Sequence, residues 1–313
     1  RVPAGRPCRS VYSRSEPIMK LSILTDEVSA DPETAIELAK MWGVEAIELR
    51  GIGEARYPNV SDFWRARVPE LVRESGLPVA ALSPGLFKIP YPQPPAPETR
   101  ILRWEDAMVF GRYTGAEQLV RFHLEELLPD TIAAAKQLGA GVIVCFSFDR
   151  GPEVPHGAPV PDAVIDVLRE AARKVGEAGM MLAVEAEHIC WGDTGVRTAE
   201  LVRRVGHPAL GVNWDPANAY RAGEDHPYPE GYEAVRDLVR HVHYKDAATD
   251  PRSGVRGFVF DGVVDWAGQV AALKRDGYSG YVSVETHVRP KVESARRSVE
   301  RLRALIESEE VVP

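Results

Sequence analysis

Four side chains able to ligate a metal or carry a proton stand at the ends of four apolar stretches in the second half of the chain. The endings are Leu182-Ala-Val-Glu185, Gly211-Val-Asn-Trp-Asp215, His241-Val-His243-Tyr-Lys-Asp246 and Tyr281-Val-Ser-Val-Glu285. Taken singly, each has an ordinary explanation. Glu185 could be a salt-bridged carboxylate, Asp215 before Pro216 a turn former, His243 a satisfied core histidine and Glu285 a loop cap. Parity argues for taking them together. Alternate residues of a strand share a face, so Glu185 pairs with Ala183 and Glu187, Asp215 with Asn213, His243 with His241 and Lys245, and Glu285 with Tyr281 and Ser283. The other face of each stretch is apolar and suits packing against helices. Four strands burying polar groups in one direction need a compensating charge, because an isolated buried carboxylate is costly. One divalent cation supplies it. A mixed carboxylate and imidazole set, Glu185, Asp215, His243 and Glu285, suits Mn²⁺, Mg²⁺, Co²⁺ or Zn²⁺.

The four residues are spaced by 30, 28 and 42 positions, about one strand, one helix and their loops in a (β/α)₈ barrel. The rest of the chain keeps that rhythm. Strands are expected at Lys20–Leu24, Glu45–Arg50, Pro78–Ser83, Val142–Phe148, Met181–Glu187, Leu210–Asp215, His241–Lys245 and Tyr281–Glu285. Between them, helical patterns run from Asp31-Pro32 to Met41, over Ser61–Ser75, Ala116–Leu138, Pro161–Ala178, Thr198–Val205, Tyr232–Arg240 and Trp266–Asp276, with a last one over Lys291–Ile306. Asp31-Pro32 reads as a cap and proline start, and Gly43 and Gly76 as helix stops. The rhythm breaks between Pro84 and Tyr113, where the proline-rich run Lys88–Pro97 cannot be a helix or strand interior. Such a long loop is expected to cover an active site. No G-x-G-x-x-G follows an early strand, so a doubly wound nucleotide-binding sheet is disfavoured. The expectation is one domain over residues 19–313, a single (β/α)₈ TIM barrel with a long loop after the third strand. Residues 1–18, arginine-bearing and without an apolar run, read as a disordered leader.

At 313 residues with 44% hydrophobic and 27% charged content, the chain can bury a large core. Its net charge of −8 speaks against nucleic acid as the main partner. No run of 18 apolar residues marks a membrane span. Three cysteines, Cys8, Cys145 and Cys190, with no C-x-x-C spacing, point to a reducing, cytoplasmic setting. A small-molecule carbohydrate is the expected partner, and homo-oligomerisation is left open.

Six segments, Thr25-Asp-Glu-Val-Ser29, Glu45-Ala-Ile-Glu-Leu-Arg50, Leu82-Ser-Pro84, Gly211-Val-Asn-Trp-Asp-Pro-Ala-Asn218, His241–Asp246 and Val282-Ser-Val-Glu-Thr286, carry a resemblance. From Met19 to about Ile306 the chain resembles the xylose-isomerase-like TIM-barrel superfamily, in particular its sugar phosphate isomerase/epimerase-type members. The resemblance implies Glu185, Asp215, His243 and Glu285 as ligands of one divalent metal. It also implies that Glu185 and Glu285 move a proton of a hydroxy-ketone sugar or sugar phosphate through an enediolate. Two positions depart from that pattern. Asn218 stands where many relatives have histidine, and Thr249 where ketose epimerases have arginine; Lys245 is placed to supply the positive charge instead. Other candidate substrate contacts are Glu187 and His188, Asn218, and two cations suited to an anionic group, Arg50 and Lys88. Asp26 and Glu27 are plausible but unassigned, His287 reads as loop, and Cys145 and Trp214 as core.

A sister reaction begins with the same proton abstraction and ends in elimination, as in a sugar or cyclitol dehydratase or a 3-keto-glycoside-cleaving lyase. An abasic-site endonuclease would need further histidines after the second and third strands, where this chain has Glu48–Arg50 and Ser83–Pro84. A barrel that binds sugar without turning it over is the remaining alternative.

Overall fold

Short β-branched and aliphatic runs, each followed by a helix start signal, leave little choice but strand–helix alternation, and the computed structural model follows it over the described residues, 19–92 and 115–308. Eight parallel strands form the barrel: β1 Lys20–Leu24, β2 Ala46–Leu49, β3 Val79–Leu86, β4 Val142–Cys145, β5 Met181–Glu185, β6 Leu210–Trp214, β7 Val239–Tyr244 and β8 Tyr281–Val284. Each pairs with its neighbours in sequence order, and β1 pairs with β8, so no edge is left open. The outer layer contains α1 Pro32–Met41, α2 Asp62–Ser75, α4 Asp162–Glu177, α5 Gly195–Val205, α6 Tyr232–Val235, α7 Trp266–Arg275 and α8 Lys291–Glu307. Between α2 and α4 lies α3, made of Ala116–Phe122, a π turn His123–Leu127 and Leu128–Leu138.

Local chemistry explains the boundaries. Asp31 accepts a hydrogen bond from Thr34 N at 2.8 Å and Pro32 opens α1, while Asp265 caps α7 through Gly268 N at 2.8 Å. Gly76 closes α2 at φ 71°, a left-handed conformation that costs glycine nothing. The face of each strand opposite the barrel interior packs on helices. Trp214 is wholly buried there and donates from Nε1 to Gln269 Oε1 of α7 at 2.6 Å, as its parity predicted.

The interior face is polar in the second half of the barrel. Glu185 lies level with Asn213, Asn213 with His241, and His243 with Ser283, which in turn is level with Ser22. Arg240 is an extra residue against β6, where the register moves from Val212–Val239 to Asn213–His241. That bulge aims His241, His243 and Lys245 inward.

The structure differs from the sequence expectation at several ends. The helix expected over Tyr232–Arg240 stops at Val235, because Leu238 N turns back to Val235 O and Leu238 O accepts from Val212 N, so pairing with β6 captures the segment. β3 runs past Pro84 to Leu86, and β4 ends at Cys145 rather than Phe148. A short helix, Pro216–Ala222, and two hairpins, Gly51–Ile52 with Ala55–Arg56 and Asp246–Thr249 with Arg256–Val259, sit on loops where no element was expected. The leader and residues 93–114, which include most of the expected cover, lie outside the described residues. The start of that loop is pinned: Tyr91 N donates to Asp149 O, and Trp191 Nε1 to Tyr91 O at 2.9 Å. None of the described helices is long and apolar enough to cross a membrane.

One buried histidine makes stability depend on pH. His123, at the π turn, accepts from Phe87 N at 2.8 Å, and burial pushes its pKa down to about 3. The neutral ring is therefore required in the fold, while the unfolded chain takes up a proton near pH 6.5. Because the folded pKa is depressed, its contribution is complete above pH 6.5 and is lost as pH falls toward 3. Urea unfolding is expected to show about 2–3 kcal/mol less stability from this residue at pH 4.5 than at pH 7. His123→Gln should flatten that slope; an unchanged slope would remove His123 as its source.

Candidate metal centre and active-site cavity

At the C-terminal end of the barrel, the strands deliver Glu185, Asp215, His243 and Glu285 to one point. Each offers a ligand atom, and these atoms all lie within 4.8 Å of one another. All four residues are buried. Asp215 serves two ends at once. Its Oδ1 accepts from Asn218 N at 2.9 Å, capping the helix Pro216–Ala222, and Oδ2 is left facing the centre. Asn218 Nδ2 donates to Glu185 Oε1 at 2.9 Å and to Asp215 Oδ2 at 3.1 Å, fixing the two carboxylates relative to each other.

His243 is aimed by a residue that was not assigned from the sequence. Glu48 in β2, wholly buried, accepts from His241 Nε2 at 2.8 Å and from His243 Nε2 at 3.1 Å. With Nε2 committed to Glu48, Nδ1 faces the centre, 3.1 Å from Glu285, 3.6 Å from Glu185 and 4.0 Å from Asp215. The signal was parity, since Glu48 shares the inward face of β2 with Arg50. The Asn213 side-chain amide also lies 3.2 Å from His243 Nδ1.

The donor set fits a cation, and the structure shows one in its midst. The Lys245 ammonium lies 2.5 Å from Asp215 Oδ2, on Glu285 Oε2, and 3.9 Å from Glu185 Oε1. Burial would lower its pKa, but Asp215, Glu285 and Glu185 outweigh that and hold it well above the ordinary lysine value. Burial would likewise lower His243, yet the charges of Glu48, Glu285 and Glu185 lift it well above a free imidazole. Asp215 is pushed up to about 7 by burial, with Lys245 opposing and Glu185 adding to the rise. Three acidic groups this close require a positive charge between them. A divalent ion would be held by Glu185, Asp215, His243 and Glu285, on the oxygens that Lys245 touches.

Glu285 is held from three further directions. Arg50 Nη1 bonds its Oε1, His287 Nε2 lies 3.1 Å away, and Lys245 sits on Oε2. Burial would raise its pKa, but Lys245, His287, His243 and Arg50 together hold it well below the carboxylate range. Arg50 Nε also donates a three-centre bond to both Asp26 oxygens at 2.9 and 3.0 Å, and Nη2 reaches Glu27 at 2.6 Å. Glu27 completes the ring by accepting from His287 N at 2.8 Å. His287, read as loop from the sequence, therefore belongs to the site, and it takes a left-handed φ of 54° to do so.

Most of the remaining candidates line the same space. Lys88 Nζ is 2.5 Å from Glu187 Oε2 and lies over the Phe146 ring, 4.1 Å from its centre. His188 Nδ1 is 2.5 Å from Glu187 Oε1. Arg50 and Lys88, expected to await an anionic substrate group, are both neutralised by protein carboxylates instead. Their long side chains reach acids on other strands, which strand parity does not reveal. Together with Asp26, Glu27, Ser83, Asn218 and Arg221, the residues Arg50, Lys88 and Glu187 bound a cavity of about 350 Å³, with Phe146 and Phe258 in its wall, while His188 is not part of that lining.

Comparisons with known proteins agree with this architecture. Residues 36–305 match the family described as xylose isomerase-like TIM barrel. Among solved structures, the probable 3-DHS dehydratase AsbF from Bacillus anthracis superposes with a TM-score of 0.66 at 18% identity, over 91% of this chain and 99% of that one. The D-allulose 3-epimerase from Methylomonas sp., in complex with D-allulose, gives 0.65 at 15% identity, over 92% and 97%. A xylose isomerase-like TIM barrel protein from Mycobacterium smegmatis in complex with magnesium gives 0.64 at 16% identity, over 92% and 96%. A comparison with curated proteins found no match. With the family matched along most of its length and the closed eight-stranded barrel in place, the chain belongs to the xylose isomerase-like TIM barrel family.

Proposed function

We propose that the protein is a divalent-metal-dependent enzyme that isomerises or epimerises a small hydroxy-ketone sugar, or its phosphate, by moving a proton beside the carbonyl. One observation carries this reading: two glutamates, an aspartate and an imidazole bring ligand atoms within 4.8 Å of one another beside a cavity of about 350 Å³. A divalent cation bound there supplies the Lewis acidity that acidifies the C–H bond next to a carbonyl. Glu185 ends β5 and Glu285 follows β8, with β6 and β7 between them in the sheet. From those positions one carboxylate can take a proton and the other return it. Arg50, Lys245 and His287 place positive charge around Glu285 and hold its carboxylate ionised in the resting site. Phe146 and Phe258 narrow the space open to water. The family match and the folds named an epimerase and a magnesium complex support the reading.

Elimination from the same starting step is the second reading. It is favoured by Thr249, whose Oγ1 is tied to Tyr220 OH at 2.7 Å in the place of the arginine expected of ketose epimerases. A dehydratase shares the fold as well.

Incubating the protein with Mn²⁺ and a panel of keto-sugars and their phosphates in deuterated water tests both. Deuterium entry beside the carbonyl, abolished by EDTA, with no loss of water or aglycone, is the expected result. Release of either would move the assignment to elimination. Metal and sugar binding with neither exchange nor release would overturn the catalytic reading and leave a sugar-binding barrel.

A further inference from the structure

Five cationic side chains besides Lys245 and Arg56 approach the cavity, and four have evident duties. Arg50 is shared among three carboxylates and Lys88 is paired with Glu187. His287 lies between Glu27 and Glu285, and Lys291 donates to Asp26 O at 2.7 Å. Arg221 is different. It lies in the last turn of the helix Pro216–Ala222 that Asp215 caps, so its backbone is tied to the candidate metal centre. Its side chain is half-buried and lies over the Phe258 ring, with Cζ 4.3 Å from the ring centre. Nε makes a long bond of 3.4 Å to Arg256 O, and its two Nη groups have no hydrogen-bond partner among the described residues. Among the described residues, no carboxylate lies within ion-pair distance of it. Burial lowers its pKa, with Glu187 and Asp215 opposing from further away.

We infer that Arg221 is an anion-recognition residue, and that the substrate carries a phosphate or carboxylate group as well as the reacting carbonyl. The inference rests on the cavity being the substrate site. A guanidinium stays charged in any protein environment, and partial burial without a counter-ion is unfavourable unless a ligand provides one. The cation–π contact with Phe258 holds the guanidinium in place and leaves its outer nitrogens as donors, a fork that suits a carboxylate or phosphate. The two cations expected from the sequence to fill this role are already neutralised by protein acids. A neutral sugar would leave Arg221 the only one of these five to meet neither a carboxylate nor a short backbone bond.

Calorimetric titration of the full chain with inorganic phosphate and with malonate, in EDTA and separately with Mg²⁺, tests the inference. At least one anion is expected to bind the wild type in both conditions. Arg221→Met should weaken it about tenfold or more, with Arg221→Lys falling between, while Mg²⁺ affinity stays unchanged in both variants. Binding of phosphate alone assigns a phosphate ester; binding of malonate, alone or as well, assigns a carboxylate. The inference is overturned if neither anion binds the wild type at millimolar concentration, or if Arg221→Met binds both as well as wild type does. Anion binding lost in Arg221→Met but without deuterium exchange on any keto-sugar would sink the catalytic reading and leave this one standing. Exchange with neutral sugars and no anion binding would do the reverse.

Discussion

Lys245→Met is expected to destabilise the metal-free protein by about 3–5 kcal/mol and, at the same time, to tighten its hold on Mn²⁺. Both effects have one origin. In the structure the Lys245 ammonium is the positive charge shared by Asp215, Glu285 and Glu185, and it is as buried as they are. Removing it leaves acidic groups stranded in a low-dielectric site, the circumstance in which deletion of one partner is most costly. A divalent ion held there would need the same oxygens, so the ammonium would compete with it and have to withdraw before all four residues could close on a metal. Methionine keeps the length of the stem without the charge. Urea unfolding in EDTA should therefore show the loss, and Mn²⁺ should restore more stability to the variant than to the wild type. Calorimetry should show affinity at least about tenfold tighter, on the order of the 1.4 kcal/mol that a tenfold change represents. If stability in EDTA and Mn²⁺ affinity both stay at wild-type values, Lys245 is not the counter-ion of this centre.

Glu285→Gln should lower the rate of proton exchange by about 10²- to 10⁴-fold, the range that a positioned acid or base contributes. It should also weaken Mn²⁺ binding about tenfold or more, because an amide is a poor substitute for a carboxylate on a hard cation. The neighbourhood makes this residue the more informative of the two glutamates. Arg50, Lys245, His243 and His287 all converge on it and hold its carboxyl ionised. Glu27→Gln provides the comparison. It removes a charge from Arg50 and His287 but no ligand from the centre, so it should disturb stability more than metal affinity. Circular dichroism would establish that both variants are folded. A Glu285→Gln protein that exchanges protons at the wild-type rate would leave the proposed chemistry without its second carboxylate.

Much of this architecture was legible in the chain. β1 ends where the apolar run Lys20–Leu24 ends, and α1 begins where Asp31-Pro32 says it should. Those boundaries depend on neighbouring residues only. Alternation in Met181–Glu185 and Val239–Tyr244 was enough to place Glu185 and His243 on the inner face. Where local preference met pairing, pairing decided: Leu238 and Val239 have a helical pattern around them, yet the ladder with β6 takes them.

Strand–helix alternation determined the fold class, and parity in the last four strands determined which side chains could meet, because a strand offers only two faces and a closed barrel has one interior. The tertiary structure decided which charge answers which. Arg50 and Glu285 are 235 residues apart, Glu48 reaches across to both imidazoles of β7, and the outer nitrogens of Arg221 meet no hydrogen-bond partner among the described residues. Long flexible side chains select partners by distance in space, and no periodicity in the sequence encodes that distance.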